Sequence, residues 1–113
     1  MGYTMITLIN AVASQEEELA RWYDNEHFGD ILESPGFVSA NRYRLATKQP
    51  SGAAPTWQYL TIYTLDTDDL DAALKEMECR IESGVIVFDS SLDAESMFFG
   101  LFEPASHDQH DGA

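Results

Sequence analysis

Cysteine is almost absent from this chain of 113 residues, where Cys79 stands alone. A lone thiol forms no internal disulfide and, with no second soft ligand near it, no zinc site, so Cys79 reads as a helix-packing residue. Basic residues are scarce as well. Six Lys and Arg against 20 Asp and Glu give a formal charge of -14, which repels phosphate backbones and anionic headgroups and argues against nucleic-acid and membrane partners. No apolar run approaches the roughly 20 residues that span a bilayer. The opening MGYTMITLINAV lacks a basic leader and a small-residue cleavage site, so a cytoplasmic location is expected. Also missing are a phosphate-cradling loop, a dinucleotide fingerprint, an H-E-x-x-H motif and a nucleophile elbow. No cofactor or metal is expected; a haem would have His27 as its one axial ligand.

What the chain does have is apolar surface. Its 44% hydrophobic and 12% aromatic content offsets ordering entropy for one domain, expected over residues 1–103 with a flexible tail over 104–113. Residues 3–12, rich in Ile, Leu, Thr and Tyr, predict a strand. Ser14 and Glu17 predict a capping box, and acidic residues 16–18 suit the positive helix end. Leu19, Trp22, Tyr23 and Glu26 then share a helical stripe, with His27 and Ile31 on its shoulder. Gly29 is expected to loosen this helix, and Ser34, Pro35 and Gly36 to end it.

Strands are predicted over residues 37–46 and 57–65, on either side of the loop TKQPSGAAPT. An Asp-led helix carries Leu70, Ala73, Leu74, Met77 and Ile81 at helical spacing and closes at Gly84. The apolar piece VIVFD and a last strand in SMFFGLFEP, stopped by Pro104, complete the chain. The order β-α-β-β-α-β is that of the α+β ferredoxin-like fold, an antiparallel sheet with both helices on one face. Large side chains occur on both strand faces: Phe37, Tyr43 and Leu45 oppose Val38 and Ala40, and Trp57, Tyr59 and Tyr63 oppose Leu60 and Ile62. Two helices cover one face only. A second copy packed sheet to sheet, a dimeric α/β barrel, is the simplest cover for the other.

The stretch RWYDNEHFGDILESPGFVSANRYRL, followed by YLTIYTLD and an Ala/Leu-rich acidic helix, resembles the small dimeric α/β-barrel proteins of the EthD-like kind. The likeness covers about residues 3–103 and rests on the helix-borne W-Y-x-x-E-H pattern followed by P-G-F. It implies a cofactor-free enzyme acting on apolar aromatic or polyketide-like compounds, or a small accessory protein of a catabolic cluster. The wider group holds cyclases, dehydratases, decarboxylases, isomerases and cofactor-free monooxygenases. The resemblance also implies an acid/base role for His27. Phe28-Gly29 departs from the commoner pattern, in which Leu or Ile precedes Pro.

Imidazole both takes and returns a proton near neutral pH, which makes His27 the first candidate. Tyr23 lies one turn before it and Glu26 adjoins it, so a phenol and a carboxylate stand ready to orient it. A structural histidine bonded to a backbone carbonyl fits the same pattern. Glu26, in an apolar stripe, is either used or paired with Arg42 or Arg44. Trp22, Phe37, Tyr43, Tyr59 and Tyr63, with Trp57, suit a pocket lined by aromatic bodies and equally a core or dimer interface. Asn41 shares the face of Tyr43, where it would donate to a developing oxyanion. His107, Asp108, His110 and Asp111 form either a weak chelate or part of a disordered tail. The expectation is a homodimeric, cofactor-independent lyase, isomerase or cyclase moving a proton on a small apolar, carbonyl-bearing compound. Its alternatives are a non-catalytic binding or accessory protein for a hydrophobic metabolite and a cofactor-free monooxygenase.

Overall fold

Alternation decides the sheet. In β1 (Gly2–Ile9) Met5, Thr7 and Ile9 are buried, and in β3 (Tyr59–Asp66) Thr61, Tyr63 and Leu65 are, the period of two expected of strands with one covered face. The computed structural model describes residues 2–106; the histidines and aspartates of the expected tail lie outside them. Between the first and second strands runs a helix in three parts: α1 (Glu16–Trp22), a π-helical turn (Tyr23–His27) and α2 (Phe28–Leu32). Next come β2 (Phe37–Arg44), β3, α3 (Leu70–Glu82) and β4 (Phe98–Phe102). The strand order is β2-β3-β1-β4, antiparallel throughout. This is the ferredoxin-like α+β arrangement that the order of elements predicts.

The helix starts later than its sequence suggests. Ser14 sits at φ 68°, in the left-handed region, and Gln15 takes the N-cap position without a side-chain hydrogen bond. The Ser14–Glu17 capping box therefore does not form: the turn that carries the chain out of β1, with the Gln15 amide donating to the Val12 carbonyl at 2.9 Å, leaves Ser14 one position too early. α3 does follow its signals. The Asp69 carboxylate accepts from the Ala72 amide at 3.0 Å, and Gly84 at φ 84° lets the Val85 and Ile86 amides turn back to the Arg80 carbonyl, each at 2.9 Å. Cys79 is exposed on α3, not in the helix-packing position expected of it.

Leu19, Trp22, Tyr23, His27 and Ile31 are buried, while Glu26 is exposed. A spacing of four residues overshoots a 3.6-residue turn by about 40° each time, so Leu19, Tyr23, His27 and Ile31 would drift around a regular helix. The wide turn at Tyr23–His27 takes back part of that drift and keeps all four over the sheet. Gly29 lies in regular helix, so the irregularity falls one turn earlier than expected. Fully burying Leu19 contributes about 2 kcal/mol.

A β-bulge at the start of β2 governs the other strands. Phe37 pairs with Leu65 and Ser39 with Thr64, so Val38 is an extra residue and the alternation of β2 flips after it. Beyond the bulge Ala40, Arg42 and Arg44 face the helices opposite Tyr63, Thr61 and Tyr59, while Asn41 and Tyr43 face away opposite Ile62 and Leu60. The outward face also carries Ile6, Leu8, Phe98 and Phe102. Tyr43, Phe98 and Phe102 are each about half exposed there. VIVFD forms no strand. Its Ile86 enters the core beside Met5, Phe37, Tyr63 and Leu65, and the following segment bridges to the chain just beyond β1, at Ala11–Leu92. Among the described residues no helix is long and apolar enough to cross a membrane.

Candidate active site

The π-helical turn delivers two polar side chains into one hollow between helix and sheet. His27 is 4% exposed. Its ring lies against Trp22 at 4.4 Å between centroids, edge-on to Tyr23 at 5.0 Å and tilted to Phe88 at 5.7 Å. Within this aromatic box Nδ1 has no hydrogen-bond partner. The expected backbone-carbonyl bond of a structural histidine is therefore not made at that nitrogen. Burial disfavours the imidazolium and lowers the pKa to about 4, so the ring is neutral at working pH.

His27, Tyr23, Tyr63 and Thr7 meet at a cavity of about 80 Å³. Its walls are otherwise apolar. Met5, Met77 and Met97, three of the chain's four methionines, line it together with Ile31, Ile81, Phe88 and Phe99. Unbranched thioethers adapt to irregular ligand shapes at small cost. The polar end is rich in hydroxyls: Thr7 on β1 stands opposite Thr61 on β3, and Met5 opposite Tyr63. None of the Thr7, Thr61 and Tyr63 hydroxyls meets a partner at hydrogen-bonding geometry. Burial raises the Tyr23 phenol above its ordinary pKa, while the nearby Thr7, Thr61 and Tyr63 hydroxyls and then the Arg42 charge pull it down. Tyr63 is pushed up further, first by burial and then by Tyr23 itself. Both phenols stay protonated and able to donate. A buried group without a partner costs about 1–3 kcal/mol; several such groups around one cavity make it ready for a ligand carrying oxygen.

The remaining candidates separate. Glu26 does not adjoin His27 on the sheet side: it is on the solvent side, in a surface depression with Arg21, Asn25 and Asp89. Arg42 pairs instead with Asp24, at 3.2 Å. Asn41 and Tyr43 lie on the outward sheet face, because the bulge at Val38 reverses the register assumed for them. Phe37 is core, edge-on to Tyr63 at 6.2 Å. Tyr59 shares the helix-facing side but stands outside the cavity, under the Arg42 guanidinium at 5.9 Å from its ring centre. Trp57 precedes β3 and donates through Nε1 to the Ser96 carbonyl at 2.6 Å. Sequence reasoning did not single out Thr7, Thr61, Met5 or Met97 and placed Met77 only in a helical stripe, although threonines at inward positions of β1 and β3 were a readable signal. Phe88 had none, since it arrives on an irregular segment. Among the described residues no group of three or more His, Cys, Asp or Glu side chains is arranged to hold a metal ion.

No family model matches the sequence, and no curated protein does. Solved structures do. A "putative monooxygenase" from Shewanella loihica PV-4 is similar with a TM-score of 0.61 at 18% identity, over 94% of this chain and 96% of the other. HapK from Hahella chejuensis gives 0.58 at 18% identity, over 97% and 99%. An ethyl tert-butyl ether D (EthD) family protein from Bacillus halodurans C-125 gives 0.47 at 16% identity, over 88% and 97%. At such identities the likeness is one of fold. The chain has the small ferredoxin-like fold of the first two.

Proposed function

We propose that the protein is a cofactor-independent lyase, isomerase or cyclase that moves a proton on a small apolar compound bearing a carbonyl group, aromatic or polyketide-like. One observation carries the reading: a buried, neutral His27 and the hydroxyls of Tyr63 and Thr7, all without hydrogen-bond partners, converge with Tyr23 on an apolar cavity. His27 is the base. Imidazole with so low a pKa takes a proton only from carbon made acidic, which requires donors on the adjacent oxygen. Tyr23 and Tyr63 supply them. The conjugate acid of His27 is correspondingly strong and returns the proton readily. Asn41, Tyr43 and Glu26 have no part in this chemistry.

The working unit in this reading is a homodimer. Tyr43, Phe98 and Phe102 are too exposed for a lone chain with both sheet faces settled, and a second copy of the same face covers them.

A binding protein for a hydrophobic metabolite is the second reading, favoured by the small cavity volume and by the weakness of His27 as a base. The name of the Shewanella loihica protein adds a third, direct oxidation of an electron-rich phenol by oxygen. A panel of enolisable apolar ketones in deuterated water tests all three. Wash-in of deuterium that is lost in His27→Ala supports proton transfer; binding with no exchange favours the second reading, and oxygen uptake the third.

A further inference from the structure

Arg42 is the more buried of the two arginines that β2 turns toward the helices. The β2 bulge turns it inward, opposite Thr61, which stands opposite Thr7 at the cavity. A transverse row, Arg42–Thr61–Thr7, thus crosses three strands from the sheet edge to the cavity wall, and Tyr23 lies over it. The guanidinium is held at one end only. A terminal nitrogen meets the Asp24 carboxylate at 3.2 Å, the plane rests over Tyr59, and buried Nε has no partner. The Asp24 carboxylate is half exposed, so water weakens its hold and leaves the arginine's charge available inward.

We propose that Arg42 is a positioning residue for Tyr23: set into the Arg42–Thr61–Thr7 row by the bulge, its guanidinium stabilises the negative charge left on the Tyr23 oxygen when that phenol donates its proton to a ligand in the cavity. The inference rests on the proton-transfer reading above. His27 takes the carbon proton, the electron pair moves onto the ligand oxygen, the Tyr23 O–H bond breaks toward that oxygen, and the phenolate pair faces Arg42. Collapse in the opposite sense restores both groups. The groups facing the Tyr23 hydroxyl are Thr7 on β1, Thr61 and Tyr63 on β3 and Arg42 on β2, with neutral His27 on its own helix and Asp24 reached through Arg42. Arg42 is the only positive charge among them. In a chain of net charge -14, a phenolate has little other support.

The test needs no substrate. A fluorinated tyrosine at position 23, several pH units more acidic, brings the ionisation into the range where the fold persists, and phenolate absorbance reads the midpoint. In Arg42→Gln that midpoint is expected to rise by about one pH unit or more, a tenfold loss of acidity. In Arg42→Lys, which keeps the charge, it is expected to move by less than about half as much. Asp24→Asn, changed on the solvent side, is expected to lower it by releasing the guanidinium. Circular dichroism identifies the variants that fold. A folded Arg42→Gln with an unmoved midpoint overturns the proposal. Should Arg42→Gln fail to fold, an unmoved midpoint in Asp24→Asn overturns it. If the midpoints move as expected while no carbonyl compound is turned over, the coupling stands and the reading of the reaction falls.

Discussion

The His27 imidazole lies nearly flat on the Trp22 indole, with centroids 4.4 Å apart and planes inclined by 29°. Trp22 precedes His27 by five residues, the hydrogen-bond spacing of a π-helical turn, so the stacking and the wide turn are one arrangement. The indole forms a wall that keeps water from the ring, and its loss should be felt in both stability and acidity.

Trp22→Ala is expected to cost about 3–5 kcal/mol of stability and to raise the His27 pKa from about 4 toward its ordinary value as water enters. Urea unfolding and NMR titration of the ring measure the two effects separately.

In the wild-type protein the depressed His27 pKa ties stability to pH. The unfolded chain binds a proton near pH 6.5 and the folded chain only near about 4, so the contribution is complete above 6.5 and is lost as pH falls through that window. The loss is about 3 kcal/mol. Denaturation at a series of pH values, compared with His27→Gln, should show the slope in the wild type and not in the variant.

Because the bulge parts the candidates by face, conservative changes should sort them. Tyr23→Phe and Tyr63→Phe are expected to slow proton exchange on a ketone substrate by about 100-fold each, the scale of a lost acid or oxyanion donor. Asn41→Ala and Tyr43→Phe are expected to leave it within about twofold, since neither reaches the cavity. Equal losses in both pairs would place the reaction on the other side of the sheet.

The outward face yields a prediction about assembly. Phe98→Glu combined with Phe102→Glu puts two carboxylates where Leu8 and Thr4 line the sheet, and a dimer built on that face cannot bury them unpaired. Sedimentation should move from dimer to monomer with the fold retained. A wild-type chain that is already monomeric would remove the barrel from the proposal.

Much of this was legible beforehand. The order of elements, the Asp69 cap, the breaks at Gly36 and Gly84 and the one-sided helix all rest on local chemistry, and each is where its residues place it. The errors come from single inserted residues. The π-helical turn holds Glu26 in solvent, and the extra Val38 moves Asn41 and Tyr43 to the far face. Neither insertion has a local signature, since Val38 suits a strand and YDNEH suits a helix. What selects them is packing across the sheet, where Phe37 and Tyr63 must meet while Arg42 reaches Asp24. The Ser14 cap fails for a related reason, because the exit from β1 uses the residue that would have made it.

Val38 has a counterpart in genetics. Removing that one codon would leave Phe37 opposite Leu65 and Ser39 opposite Thr64 in unbroken alternation, so Arg42 would stay inward and Asn41 and Tyr43 outward. The bulge is thus a spare position in the strand, where one residue can be lost without changing which side chains look toward the cavity.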